Sequence, residues 1–227
     1  MLRLVLGFIF LLAATPPASA NYALGTIAYE RGDYAAAYEN WRPLADRGSP
    51  AAQFNIGHLY HRGLGVAQDL DAAKEWYLKA ASQGDSNAQY ELGAMHAQGD
   101  GVPRDYAAAI GWYRQAAEAG HSKASMKLGN LYRDGRGVPQ DDEKAAHWIV
   151  KAADQGEKSA QIAASVIFSE GLGVPKDLVE AYMWASIAAS RGEIFAHAFV
   201  RAIERRMTPA QIQEGRERAQ TWSPRLY

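Results

Sequence analysis

Four tryptophans, Trp76, Trp112, Trp148 and Trp184, stand 36 residues apart, and Gly48, Gly84, Gly120, Gly156 and Gly192 keep the same interval. A period in the range of roughly twenty to fifty residues belongs to stacked supersecondary units, because a unit that short cannot close a hydrophobic core by itself. The chain is therefore constrained to an array in which every unit buries its apolar side on its neighbours.

Within one unit, Ala52, Ile56, Leu59 and Tyr60 fall at helical spacing on one face, and Gly63 supplies the residue type that ends a helix in a left-handed turn. A second helix opens at Asp69, whose carboxylate suits an N-cap, and carries a stripe of Ala73, Trp76, Tyr77, Ala80 and Ala81 up to Gly84. Asp105, Asp141 and Asp177 repeat Asp69 at the same interval, which reads as capping rather than catalysis. Gly57, Gly93 and Gly129 sit inside first helices, where glycine costs about 1 kcal/mol against alanine, so a close backbone contact is expected there. The sequence reading lets the tryptophan fill the space that Gly57 and the paired alanines leave open, making Trp76, Trp112, Trp148 and Trp184 buried core.

The string Leu92-Gly93, Gly99-Asp100-Gly101-Val102-Pro103, Asp105, Ala109, Trp112-Tyr113, Ala116-Ala117 and Gly120 resembles the Sel-one-like repeat (SLR), a relative of the tetratricopeptide repeat. The resemblance covers Ala52 to about Gly192 in four units. It implies an all-α fold, a right-handed α-solenoid of antiparallel helix pairs, acting as a protein-binding scaffold, often in the bacterial envelope.

Residues 1–20 read as a secretory signal: Arg3, an apolar run from Leu4 to Ala14, then Ala18-Ser19-Ala20 before a cut. That run, about eleven residues, is short for a membrane span. Export to the periplasm or beyond is expected, with no stable anchor once the signal is removed. Residues 21–48 look like an atypical N-terminal capping repeat, lacking the Gly-x-Gly-Val loop. Four full repeats follow over 49–192 (about 49–84, 85–120, 121–156 and 157–192). Residues 193–227 are read as C-terminal capping helices, one from Ile194 to Arg206 and one opened by a capping box at Thr208-Pro209-Ala210-Gln211. With no cysteine, an exported chain must hold together by stacking alone.

Composition limits the partners. Basic and acidic residues number 24 and 25, so a nucleic-acid partner, which calls for a basic stripe, is not expected. The loops Gly63-Leu64-Gly65, Gly99-Asp100-Gly101, Gly135-Arg136-Gly137 and Gly171-Leu172-Gly173 follow helices rather than strands and lack a lysine-serine end, so they read as connectors and not phosphate cradles. His58 and His61 lie three apart on one helix, but no third ligand is evident, and solvated surface is expected over a metal site; no metal or cofactor is expected.

A binding face follows from helical geometry. At about 100° per residue the side opposite the core stripe of the first helices carries Phe54, His58, His61 and Arg62, then Tyr90 and Gln98, then Met126, Asn130, Arg133 and Asp134, with Ile162 and Glu170 in the fourth unit. In the architecture implied by the resemblance that side lines the concave groove. Phe54, Tyr90, Met126 and Ile162 form an apolar ladder for which packing on neighbouring helices is the plainer reading, while the polar residues between them differ in every unit, as a partner site would require. The function expected is that of a non-enzymatic interaction scaffold binding an envelope or periplasmic protein, in a regulatory or assembly role. The alternatives are a hydrolase of cell-wall or antibiotic substrates, for which no nucleophile and base converge, and a carbohydrate or peptidoglycan binder, which would need exposed tryptophans.

Overall fold

The computed structural model describes residues 18–225. The expected export signal lies outside them, apart from Ala18, Ser19 and Ala20, which open the first helix. Twelve helices and no strand occur among the described residues. Five antiparallel pairs come first: α1 (Ala18–Glu30) with α2 (Tyr34–Asp46), α3 (Pro50–Arg62) with α4 (Leu70–Ala81), α5 (Ser86–Gln98) with α6 (Tyr106–Glu118), α7 (Ser122–Asp134) with α8 (Asp142–Asp154), and α9 (Lys158–Glu170) with α10 (Leu178–Ser190). Then α11 (Ala196–Glu204) and α12 (Pro209–Thr221) both return to α10. From α1 to α11 each helix packs on those adjacent to it in the chain, as a solenoid requires, whereas α12 packs chiefly on α10.

The even helices begin where a carboxylate can accept an amide of the first turn: Asp69 from Ala72, Asp105 from Ala108, Asp141 from Lys144 and Asp177 from Glu180. Odd helices end at Gly63, Gly99, Gly135 and Gly171, all in the left-handed region that a side chain disfavours. The second glycine of each loop then lies against the start of the preceding unit's even helix. A Cβ on Gly65 would meet the Tyr34 carbonyl carbon at 2.5 Å, and one on Gly101 would meet Leu70 Cβ at 2.6 Å. The loops are therefore clamps between units as well as connectors.

The mid-helix glycines do accept a bulky neighbour, but it is not the tryptophan. Gly57 faces the ring of Tyr77, Gly93 that of Tyr113, and Gly129 the side chain of Ile149. One residue earlier along each even helix, about 100° around it, the tryptophan points elsewhere. Trp76 joins one cluster with Trp41 and Leu44 of α2 and Ala52, Ile56 and Leu59 of α3, and Arg42 of α2 lies over its ring at 5.2 Å, so it seals its unit to the preceding one. Trp76 and Trp184 are 8% and 2% exposed, whereas Trp112 and Trp148 are only half-buried. The expectation that all four tryptophans are buried core is corrected accordingly at Trp112 and Trp148.

Buried glutamines form a second series. Gln53 Nε2 donates to the Ala45 carbonyl at 3.1 Å, Gln89 to Ala81 at 3.3 Å and Gln161 to Ala153 at 3.4 Å. Each ties an odd helix to a carbonyl near the end of the even helix before it, a group that also accepts from the glycine amide of the following turn.

The C-terminal helices differ in part from expectation. The capping box at Thr208 and Gln211 is present, and Gly215 lets α12 approach Tyr182 of α10. The helix expected from Ile194 begins only at Ala196, since no side chain caps it, and Ile194 and Phe195 stand in the turn 84% and 75% exposed.

Candidate functional site

Three depressions concern the side chains singled out by the sequence. The first, about 320 Å³, lies across α1, α3 and α5, with Tyr22, Tyr29, Phe54, His58 and Glu91 on its walls and Trp41 at its base. The second, about 260 Å³, lies across α5, α7 and α9 and is lined by Tyr90, Lys123, Met126, Lys127, Asn130 and Glu157. The third, about 410 Å³ and largely apolar, opens between α7, α8 and α9, where Arg133 and Asp142 stand over Ala146, Ile149, Val166 and Leu172. The smaller Ile149, in the place of Tyr77 and Tyr113, borders this third space.

In the first depression, Tyr29 Oη lies 3.2 Å from His58 Nε2, and Phe54 stacks on the His58 ring with 6.3 Å between centroids. Burial, with help from Arg62 and His61, lowers the His58 pKa and keeps the imidazole neutral. Glu91 comes in from the next unit. Burial raises the pKa of its carboxyl against the opposing pull of His61, Arg62 and Lys123, and it makes no hydrogen bond or ion pair among the described residues.

His61 is not a solvated surface residue, and this corrects the sequence reading. Its side chain is 12% exposed, with Nε2 2.8 Å from Asp100 Oδ2 and Nδ1 3.3 Å from Tyr77 Oη. An aspartate, a histidine and a hydroxyl in line have the outline of a catalytic relay, but the hydroxyl end belongs to a fully buried tyrosine whose pKa burial drives far upward. The line is a strut: Asp100, in the loop of one unit, holds the preceding unit's odd and even helices together. His58 is likewise held, by Tyr29, and among the described residues no three histidine, aspartate or glutamate side chains gather as a metal site.

In the second depression Tyr90 lies flat on His121, 4.6 Å between centroids and 12° between planes, and tilts against Tyr113 of its own unit. His121 in turn caps α7, its Nδ1 accepting from Ala124 N at 3.1 Å. Phe54 likewise rests on Tyr77. The apolar ladder is thus half-buried, Phe54 resting on the even helix of its own unit and Tyr90 lying between that helix and His121 of the next unit. Asn130 Oδ1 is buried without a partner among the described residues.

The remaining expected residues are dispersed. Arg62 and Gln98 are exposed, and the Gln98 carbonyl accepts from Arg104. Arg133 pairs with Asp134 at 3.0 Å. Tyr22, Tyr29, Glu91, Lys123 and Glu157 were omitted by the periodic reading. For Glu91 a signal existed: Asn55, Glu91, Lys127 and Ala163 occupy one repeat position, and no two are alike. No helix among the described residues is long and apolar enough to cross a membrane.

Comparison with known proteins agrees with this architecture. A family model described as the Sel1 repeat matches residues 18–49, 50–85, 86–121, 122–157 and 158–193, so it includes the short first unit. The chain is similar to the crystal structure of a Sel1 repeat protein from Oxalobacter formigenes, with 31% identity and a TM-score of 0.74 over 88% of this chain and 84% of that one. It is also similar to a protective antigen present in uropathogenic Escherichia coli strains that displays an SLR fold, with 28% identity and a TM-score of 0.55 over 90% of this chain and 53% of that one. No curated protein matches the sequence.

Proposed function

The chain belongs to the Sel1 repeat family, and on that premise we propose that it is an exported scaffold that binds a segment of an envelope or periplasmic protein along its odd-numbered helices. Sel1 repeats are in general protein–protein interaction modules, typically without enzymatic activity. The observation that carries the reading is the alignment of two depressions across α1, α3, α5, α7 and α9, each walled by residues from three successive units. A surface shared among units suits an extended or helical segment that crosses them in turn. Phe54, Tyr90 and Met126 offer it apolar edges and His58 and Asn130 polar contacts inside these two depressions, while Arg62, Gln98, Arg133 and Asp134 lie outside them as further polar contacts along the odd helices. His61, already occupied at both ring nitrogens, contributes by holding the wall rather than by contact.

Export rests on residues 1–20 alone and is tested by fractionating the native host and sequencing the amino terminus of the mature chain. Binding is tested with a photo-crosslinking amino acid placed at Asn130, in the second depression, and at Gln115, exposed on α6. One partner crosslinked from position 130 and not from 115 supports the reading. Crosslinking from 115 alone moves the site to the even helices and overturns it.

A further inference from the structure

We propose that the depression across α1, α3 and α5 is a receptor for one organic cation of the bound segment, a lysine ammonium or an arginine guanidinium, set between the rings of Tyr22, Tyr29 and Phe54 and against the Glu91 carboxylate. The inference rests on the groove reading above and adds the chemistry of one anchor.

Three features lead to it. Tyr22, Tyr29, Trp41 and Phe54 line the space, and a cation near a ring centroid is drawn by the ring quadrupole, most strongly where water is excluded. The single charge that reaches this space from α5 is Glu91, which burial disfavours and no donor among the described residues relieves. A partly desolvated carboxylate is retained at a cost unless something pairs with it, and here the chain itself provides no pair. Thirdly, the imidazole that shares the wall, His58, is hydrogen-bonded to Tyr29 and kept neutral, so the space holds no fixed positive charge of its own. His61, Arg62 and Lys123 act on Glu91 through space without forming an ion pair, and Arg62, exposed on α3, is the residue with which an incoming cation competes. About 320 Å³ of space admits a single long side chain rather than a folded element.

The probes are capped three-residue peptides with lysine or arginine at the centre, and isosteric controls with norleucine or citrulline, titrated into the protein and followed by NMR at Tyr29, Phe54 and His58. Saturable shifts with a cationic peptide, absent with its neutral isostere, are expected. Glu91→Gln should weaken that binding about tenfold, the effect of removing one partly desolvated charge pair. Arg62→Gln should tighten it a few-fold, which a merely structural role for Glu91 does not predict. Saturation by lysine only, arginine only, or both identifies the group recognised. Equal binding of the neutral isosteres, no saturation, or affinity unaltered by Glu91→Gln overturns the cation receptor. If crosslinking from Asn130 succeeds while the peptides fail, the groove stands and the receptor alone is lost.

Discussion

A Cβ placed on Gly57 would lie 2.8 Å from Cδ1 of Tyr77 and 3.2 Å from the carbonyl oxygen of Ala73, so helix α3 touches α4 through its backbone. Tyr77 is fully buried. Gly57→Ala gains about 1 kcal/mol of helix propensity but incurs overpacking of about 1–3 kcal/mol, for a net loss of about 1 kcal/mol. Gly111 in α6 is the control, because a Cβ there meets nothing within 4 Å. Gly111→Ala should therefore gain about 1 kcal/mol. Urea denaturation of both variants reads the opposite signs; a gain at both positions would remove the close-contact account of the mid-helix glycines.

Gln53 both donates to the Ala45 carbonyl and accepts from Gln83 Nε2 at 2.7 Å, joining α2, α3 and the end of α4. Gln53→Ala deletes two hydrogen bonds, a loss of about 2 kcal/mol, while the Ala45 carbonyl keeps the Gly48 amide. Gln89→Ala, where only one bond is made, should lose about half as much. Equal losses at both positions, measured by the same denaturation, would show that the Gln83 contact adds nothing.

The repeat made the helices, their glycine ends and their aspartate caps legible, because each is dictated by local spacing that recurs at 36 residues. What spacing alone left open was direction. Trp76 and Tyr77 are adjacent and both aromatic, and only the assembled units reveal that Tyr77 takes the intra-unit glycine while Trp76 seals the neighbour. The site was legible to the same degree. Phe54, His58, Tyr90, Met126 and Asn130 were found by helical phase, but Tyr29 enters from a unit whose short loop breaks the phase, and Glu91 acts on residues of the preceding unit. Likewise, the contact of His61 with Asp100 spans 39 residues and leaves no periodic trace.

His121 caps α7 through its unprotonated Nδ1 and lies stacked on Tyr90. Burial, the largest cause, places its pKa below the ordinary histidine value, and His58 is shifted the same way for the same first reason. The unfolded chain therefore binds protons before the folded one does. The stability these residues confer is complete above the unfolded pKa, near 6.5, and is lost as pH falls through the lower folded value. Acidification from about pH 7.5 down through the lowered folded value should remove the cap bond, about 1 kcal/mol. His121→Asp, which restores the residue type that caps α5 and α6, should show a smaller loss over the same interval in thermal melts. An identical pH dependence in both proteins would mean that the cap does not titrate.

Glu91 has the opposite linkage. Its pKa is raised by burial, so the folded chain holds this proton more tightly than the unfolded chain, and stability is present at low pH and lost as pH rises through the folded value. At neutral pH the ionised carboxylate is thus a net liability to the free protein. Glu91→Gln keeps the shape and removes the charge, and should raise the unfolding midpoint at pH 7 while leaving it nearly unchanged below about pH 3, where both forms are neutral. A residue that destabilises its own fold yet faces an aromatic cleft is what a site held for a partner requires, since strain kept at a binding surface is relieved on binding. The sign of the midpoint shift decides the matter. A fall at pH 7 would mean that Glu91 is satisfied within the chain, and the cleft would then have no uncompensated charge to offer.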